Sequence, residues 1–224
     1  MSIPASRLAT AILLIGTMVL GACAEVPGAE TTRSRASTKT PHSEYAMRWD
    51  HKAQSTEWTA RGLAALESHG AALPAIVPAD IETWCPGYAD ASQADREAFW
   101  IGLISALAKH ESTWNPAAVG GGGRWFGLVQ ISPATARLYG CEAKSGSALK
   151  NGAANISCAI RIMSRTVQRD GVVSAGMRGV AADWGPFHTA SKRKDMIAWT
   201  STQPFCQPKA KGPLAMLKKK MADG

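Results

Sequence analysis

The stretch Ala-Lys-His-Glu-Ser-Thr-Trp-Asn-Pro, residues 108–116, ends an apolar helical stripe and carries a carboxylate, Glu111, in its last turn. Steps of three and four residues back from Glu111 meet only apolar side chains, at Leu107, Ile104, Leu103 and Trp100. Residues with this spacing share one helix face. Burial on such a face makes a carboxylate costly to ionise, which raises its pKa into the range of a general acid at neutral pH. The alternative is a helix-terminal glutamate that faces solvent.

A second motif follows at once. Pro116 and the loop after it end the helix, and residues 120–136 then read Gly-Gly-Gly-Gly-Arg-Trp-Phe-Gly-Leu-Val-Gln-Ile-Ser-Pro-Ala-Thr-Ala. Together and in this order, Glu-Ser-x-x-Asn-Pro and Gly-Leu-x-Gln-Ile-x-Pro-x-Thr-Ala resemble the soluble lytic transglycosylase (SLT) domain. The resemblance covers roughly residues 80–206. It implies a mainly α, lysozyme-like single catalytic domain, an enzyme that cleaves peptidoglycan glycan strands, and no cofactor.

The resemblance also implies roles for individual residues. Glu111 matches the single catalytic acid and base of that family. Ser112 matches a serine that hydrogen-bonds near the acid, although its hydroxyl can equally bond back into its own helix. Gln130 and Gly127 match the segment that lines the saccharide groove. Trp125 is a candidate for stacking on a sugar ring, with a lid over the core as the alternative.

One late motif departs from the family. Many members carry Ala-Tyr-Asn-x-Gly, where the Tyr and Asn approach the acid, whereas this chain has Val-Ala-Ala-Asp-Trp-Gly at residues 180–185. Asp183 and Trp184 are the candidates for those positions and for substrate contacts. Glycoside hydrolysis usually requires two carboxylates, so Asp183 is also a candidate second carboxylate.

Three functions follow from these motifs. The first is a lytic transglycosylase that cleaves the MurNAc–GlcNAc β-1,4 bond and forms 1,6-anhydro-MurNAc. The second is a muramidase, a lysozyme-type hydrolase on the same fold, which requires the second carboxylate. The third is a non-catalytic peptidoglycan-binding lipoprotein. The intact Glu-Ser and Gly-Leu-x-Gln motifs favour the first. Protein partners are not indicated by any motif.

The N-terminus predicts export and a lipid anchor. An apolar run at residues 11–20 is too short to span a bilayer and fits the core of a signal peptide. The run ends in Leu-Gly-Ala-Cys, which resembles the lipobox of bacterial lipoproteins, so residues 1–22 are the predicted signal peptide and Cys23 the predicted lipidation site. Ala24 follows where retention in the inner membrane usually has Asp. We therefore expect a cell-envelope protein anchored in the outer membrane and facing the periplasm.

Composition predicts the remaining organisation. Residues 23–54 are polar and lack aliphatic periodicity, which predicts a disordered tether. Residues 55–80 are predicted to form a helical extension, residues 81–207 the catalytic domain, and residues 208–224 a basic tail. Removal of residues 1–22 takes away Arg7 and no acidic residue, so the net charge changes from +8 to +7. A basic chain suits an anionic polymer, and export together with the lack of an aromatic-interleaved basic motif argues against nucleic acid.

Four cysteines remain after Cys23 is set aside. An even number in an exported chain predicts two disulfides, with three possible pairings. We favour Cys141–Cys158, which staples a short segment, and Cys85–Cys206, which joins the start of the catalytic domain to its end. A zinc site is not expected, because the cysteines are widely spaced. A zinc-protease helix would need histidine where Trp114 stands. No metal is predicted.

Overall fold

The computed structural model describes residues 45–209, and its fold is mainly helical, as the sequence predicts. These residues belong to one compact unit. The α-helices are α1 (Ser55–Leu66), α2 (Ala72–Ala75), α3 (Ile81–Trp84), α4 (Gln93–Ser112), α5 (Pro133–Leu138), α6 (Gly146–Leu149), α7 (Gly152–Asp170) and α8 (Ala190–Thr200). Short 3-10 turns cover Tyr88–Asp90, Ala175–Met177, Gly179–Ala182, Gly185–His188 and Pro204–Cys206. Two short strands are β1 (Val119–Gly120) and β2 (Trp125–Phe126).

Helix α4 carries Glu111 and runs through the middle of the core. It begins with a capping box, in which the Ser92 hydroxyl accepts from the Asp95 amide and the Asp95 carboxylate accepts from the Ser92 amide. Every residue from Ala98 to Ala108 is buried. The apolar stripe seen in the sequence is therefore one side of a helix that other elements surround. Helices α1, α2 and α8 and the turn Pro204–Cys206 all pack against α4.

The predicted helical extension is part of this core. Helix α1 packs along α7, and α2 contacts both α4 and α7. Trp58 and Leu66 of α1 are buried. Residues 55–80 therefore complete the back of the catalytic region.

The glycine-rich segment forms a small hairpin. Strands β1 and β2 pair antiparallel, with Val119 opposite Phe126 and Gly120 opposite Trp125. The connecting residues Gly121, Gly122 and Gly123 all have positive φ angles, a conformation that glycine adopts without the strain a side chain causes. The hairpin stands next to the C-terminal end of α4 in the chain, and it forms part of the site described below.

Both predicted disulfides are confirmed. Cys85 bonds to Cys206 across 121 residues of sequence, and Cys141 bonds to Cys158 across 17. All four cysteines are buried. The longer bridge encloses both α4 and α8.

The predicted tether is too long at its C-terminal end. Residues 45–54 pack on the domain: Trp49 is fully buried and contacts Trp58, and its Nε1–H donates to Thr59 Oγ1 at 3.0 Å. Tyr45 hydrogen-bonds to Asp95, and Lys209 pairs with the same carboxylate at 2.6 Å. Aromatic residues hold this segment although it has no helical periodicity.

Several predictions lie outside the described residues. They are the signal peptide of residues 1–22, the lipidation of Cys23, the tether up to residue 44, and the basic tail beyond residue 209. Between residues 45 and 209, no helix is long and apolar enough to cross a membrane.

Candidate active site

Glu111 lies in a cleft with a volume of about 520 Å³. The cleft brings together five of the residues predicted from sequence: Glu111, Trp125, Gln130, Asp183 and Trp184. Its other lining residues are His110, Gly120, Gly121, Gly185, Pro186, Thr189 and Lys192. The walls therefore come from the end of α4, the glycine-rich hairpin, the Asp183–Pro186 segment and the start of α8.

Burial dominates the electrostatics of Glu111. It raises the pKa of the carboxyl from 4.5 to about 7, while the nearby positive charge of Lys192 acts in the opposite direction. Burial removes water from the carboxylate, and the charged form loses more solvation than the neutral form. A carboxyl with this pKa is partly protonated at neutral pH, so Glu111 can donate a proton and, once ionised, accept one.

The turn after Glu111 is held in an uncommon backbone conformation. Thr113 and Trp114 have φ angles of 53° and 56°, in the left-handed region that residues with a Cβ rarely adopt. The Trp114 amide donates to the Ala108 carbonyl at 3.2 Å, and the Trp114 indole donates to the Ser105 carbonyl at 2.8 Å. The ring of His51 also packs edge-on against Trp114. These contacts fix the direction in which the chain leaves α4.

Ser112 ties the two motifs together and does not line the cleft. Its hydroxyl donates to the Leu128 carbonyl at 2.7 Å and makes a longer contact with the Ala108 carbonyl. Gly127 also lies behind the cleft wall. It has a φ of 84°, and a Cβ there would overlap the Leu149 carbonyl and the Asn155 side chain. Both residues therefore support the wall from behind. Neither lines the cleft, so the geometry does not favour the substrate contacts predicted for them.

Gln130 lines the cleft, and its side-chain amide hydrogen-bonds to the backbone around the hairpin. Its Nε2–H₂ donates to the Gly127 carbonyl at 2.9 Å and to the Ala118 carbonyl at 3.3 Å. Asn155 of α7 supports the same loop from behind, because its side chain accepts from the Val129 amide and donates to the Phe126 carbonyl, both at 3.0 Å. Asn155 was missed by sequence reasoning, although an asparagine among the apolar residues of α7 is a usable signal.

Two tryptophan side chains line the cleft, one exposed and the other buried. Trp125 is 42% exposed, and the Arg124 guanidinium lies 4.8 Å from its ring centroid. Trp184 is only 3% exposed, and its Nε1–H donates to the Val129 carbonyl at 2.8 Å. Trp125 therefore has ring surface available for a sugar, whereas Trp184 mainly positions the Gly-Leu-x-Gln segment.

Asp183 is a second carboxyl in the cleft. Burial raises its pKa, and this outweighs the hydrogen bond that it accepts from the Tyr139 hydroxyl at 3.1 Å. Asp183 also lines a smaller cavity next to the main cleft, together with Trp125, Gln130 and Trp184. The residue that replaces the family's late motif is thus in the site, with a hydrogen-bond partner of its own.

A charged cluster stands behind the acid. The Asp195 carboxylate of α8 accepts two hydrogen bonds from the Arg48 guanidinium, at 2.7 and 2.9 Å. Lys109 Nζ and His110 Nε2 also donate to it, at 2.9 and 2.7 Å. Hydrogen bonds from Arg48, Lys109 and His110 hold the pKa of Asp195 well below its usual range. The cluster joins residues 45–54, α8 and the end of α4, and it was not apparent from the sequence because its members are far apart in the chain.

No set of three or more His, Cys, Asp or Glu side chains suited to a metal ion occurs in residues 45–209.

The raised pKa of Glu111 makes the stability of the fold depend on pH. Below pH 4.5 the carboxyl is protonated in both the folded and the unfolded chain, and burying it costs no ionisation energy. As the pH rises from 4.5 through about 7, the unfolded chain ionises more readily than the folded one, so the folded state loses stability. We expect Glu111→Gln to gain about 3 kcal/mol in unfolding free energy relative to the wild type between pH 4.5 and pH 8.5. Urea unfolding of both proteins at the two pH values measures this gain. Glu67→Gln removes the same charge from an exposed position as a control, and a gain independent of pH would contradict the prediction.

Comparison with known proteins agrees with this geometry. Residues 90–178 match the family model described as the transglycosylase SLT domain. Among solved structures, two different Glu-to-Gln mutants of DslA have a TM-score of 0.67 and 29% sequence identity to this chain. Wild-type DslA has a TM-score of 0.66 and 28% identity. These similarities cover 73% of this chain and 98–99% of DslA. No protein with a curated description matches the sequence.

The matched region contains both motifs that the sequence analysis singled out. It includes Glu111, the strained turn after it and the Gly-Leu-x-Gln segment, while Asp183, Trp184 and Lys192 follow it in the chain. Similarity to DslA extends over nearly the whole length of that protein. The lysozyme-like fold class expected from the motifs is confirmed. The chain therefore carries a transglycosylase SLT domain and is an enzyme of the lytic transglycosylase type.

Proposed function

We propose that this enzyme cleaves the MurNAc–GlcNAc β-1,4 bond of peptidoglycan and forms 1,6-anhydro-MurNAc, with Glu111 as both acid and base. The observation that carries the proposal is the burial of Glu111 in the cleft, which raises its pKa to about 7. At neutral pH such a carboxyl is available in both protonation states, as a residue that serves in two successive proton transfers requires.

The reaction has two steps at one carboxyl. Protonated Glu111 donates its proton to the glycosidic oxygen, and the bond from that oxygen to muramic acid C1 breaks. Positive charge develops at C1, and the substrate's own N-acetyl group is suited to stabilise it. The Glu111 carboxylate then removes the proton from the C6 hydroxyl, whose oxygen bonds to C1 and closes the anhydro ring. Glu111 ends protonated and no water is consumed.

The walls of the cleft support binding of a glycan strand. Trp125 offers exposed ring surface for a sugar, and Gln130 lines the cleft with its side-chain oxygen close to Gly120. Sugar rings combine apolar faces with polar edges, so an aromatic wall next to amides and a carboxyl suits them. The SLT domain independently supports peptidoglycan as the substrate.

The product distinguishes the proposed reaction from hydrolysis. We expect the purified protein to release muropeptides from sacculi that are lighter by one water than the reducing muropeptides a hydrolase gives. Mass spectrometry of the digest, before and after borohydride reduction, measures this difference, because an anhydro end resists reduction. Products that take up two hydrogens on reduction would contradict the proposal.

Asp183 gives the muramidase alternative a specific observation. It is a second carboxyl in the cleft, and a carboxylate can activate water for attack at C1. Burial raises the pKa of this carboxyl, and the Tyr139 hydroxyl donates a hydrogen bond to one of its oxygens, which leaves the other oxygen for a water molecule. Reducing-end products that disappear in Asp183→Asn would select the muramidase. No comparable observation favours a non-catalytic binding protein, because Glu111 lines the cleft and burial gives it the raised pKa of a proton donor.

We also propose that the protein is anchored by lipid on Cys23 and faces the periplasm from the outer membrane. The support is the Leu-Gly-Ala-Cys sequence after the apolar run, followed by Ala24. Acyl chains contribute about 0.8 kcal/mol for each buried methylene, so two or more chains hold a protein to a bilayer. Membrane fractionation of the wild type and Cys23→Ser tests this, and an unchanged distribution of the variant would refute it.

A further inference from the structure

Lys192 lies in the cleft close to the catalytic acid. It belongs to the first turn of α8, its side chain is half-buried, and it lines the same cavity as Glu111. Its positive charge lowers the pKa of Glu111, against the larger effect of burial. An ammonium group therefore shares the cleft with the proposed catalytic acid.

Lys192 has neither an ion-pair partner nor a side-chain hydrogen bond among residues 45–209. Lys109, two residues before Glu111 in α4, pairs with Asp195. Arg193, the next residue, donates to the Phe187 carbonyl at 2.6 Å. The described part of the chain shows no carboxylate within 4.0 Å of Lys192 and no hydrogen bond from its side chain. Its ammonium group is therefore available to a ligand in the cleft.

The stability of α8 does not explain a lysine at this position. Lys192 and Arg193 lie in the first turn of the helix, which has no acidic residue, and Lys194 follows directly. The helix dipole favours negative charge at that end and disfavours cations by a few tenths of a kcal/mol each. A residue that opposes the local preference of its own helix is a candidate for function.

We propose that Lys192 binds the carboxylate carried by the 3-O-substituent of the muramic acid residue at the cleavage point. The inference rests on the proposed function and names a specificity residue for it. The two sugars of the glycan differ at this position, because N-acetylglucosamine is neutral there and muramic acid bears a lactyl ether. The lactyl group either ends in a free carboxylate or continues into a stem peptide that has carboxylates of its own.

This contact would select the correct sugar for the reaction. Glu111 acts at the bond from muramic acid C1, so the substituent on C3 of the same ring extends from a site within reach of neighbouring cleft residues. An ammonium–carboxylate contact across a half-buried cleft is stronger than one at an open surface, because less water screens it. A neutral N-acetylglucosamine polymer would fit the same walls and would lack this contact.

The test measures binding in the Glu111→Gln background, where glycans are not expected to be turned over. Three ligands are titrated by calorimetry at low salt: the N-acetylglucosamine hexamer, glycan strands stripped of stem peptides, and glycan strands that keep them. Lys192→Gln removes the charge and keeps similar length, and Lys192→Arg keeps the charge. Lys194→Gln removes a matched, exposed charge from the same helix turn and does not touch the cleft.

We expect Lys192→Gln to weaken binding of the muramic acid ligands about tenfold and to change binding of the neutral hexamer by less than about twofold. Lys192→Arg and Lys194→Gln should retain binding. A loss on the stripped strands identifies the lactyl carboxylate as the group bound, and a loss confined to the strands with peptides identifies a stem carboxylate; either supports the proposal.

Two results would overturn it. One is equal weakening for the neutral hexamer, which would make Lys192 a general support of the cleft. The other is unchanged affinity for every muramic acid ligand. Absence of binding by all three ligands in the Glu111→Gln protein would refute the proposed function itself, and the role of Lys192 with it.

Discussion

Glu111→Gln is expected to lower turnover of peptidoglycan by about a thousandfold or more. General acid–base catalysis by one side chain contributes about a hundredfold to ten-thousandfold, and here one carboxyl serves both proton transfers. Glutamine has nearly the same shape as glutamic acid, but it has no acidic proton to donate and its amide is a poor base. The effect should appear in kcat, because the substitution leaves the walls that bind the glycan unchanged.

The measurement is the rate of release of soluble muropeptides from sacculi by wild type, Glu111→Gln and Glu67→Gln. The last variant removes an exposed glutamate from the end of α1 and should keep the wild-type rate. Affinity of Glu111→Gln for glycan strands shows that the cleft is intact. A rate within tenfold of the wild type would show that another group, with Asp183 as the first candidate, performs the chemistry.

The parts of this site that are contiguous in the chain could be predicted from the sequence. Glu111 ends a buried stripe, and the Ser92–Asp95 capping box marks where its helix begins. The Gly-Leu-x-Gln segment follows after a short loop, so local chain geometry alone brings it near the acid. The disulfide pairing was also accessible, because a bridge from the first to the last cysteine and a short internal bridge suit one domain.

The parts that were missed depend on long-range packing. Lys192 is brought to Glu111 by the packing of α8 on α4, and no motif marks it. The segment at residues 45–54 looked like tether because it lacks helical periodicity, yet Trp49 alone buries a large apolar surface against α1. Arg48 then reaches Asp195 across most of the chain. Single aromatic anchors and ion pairs of this kind leave no periodic signal.

The site is built against the preferences of its own elements. Burial of Glu111 disfavours its charged form, the two residues at 113 and 114 adopt left-handed backbone angles, and two cations occupy the first turn of α8. Each feature costs free energy that the rest of the fold must offset. The partly exposed Asp195 cluster and the buried Asn155 hold these elements in position.

The second large effect is expected from the longer disulfide. Replacing Cys85 and Cys206 together with alanine should lower the unfolding free energy by about 4–5 kcal/mol, because the bridge closes a loop of more than a hundred residues in the unfolded chain. Replacing Cys141 and Cys158 should cost about 3 kcal/mol, because the loop there is short. The two segments that the longer bridge joins are also hydrogen-bonded to each other, since the Gly87 amide donates to the Cys206 carbonyl at 2.8 Å.

Urea unfolding of the two double variants under one set of conditions compares the bridges directly. Both pairs are buried and both changes remove the same atoms, so the difference between them isolates the effect of loop length. Equal losses, or a larger loss at Cys141 and Cys158, would assign the stabilisation to local packing. If the longer bridge dominates, the enzyme's stability depends on a bond that encloses both α4 and α8. An oxidising compartment, which the predicted export supplies, would then be a condition for keeping Glu111 and Lys192 in the same cleft.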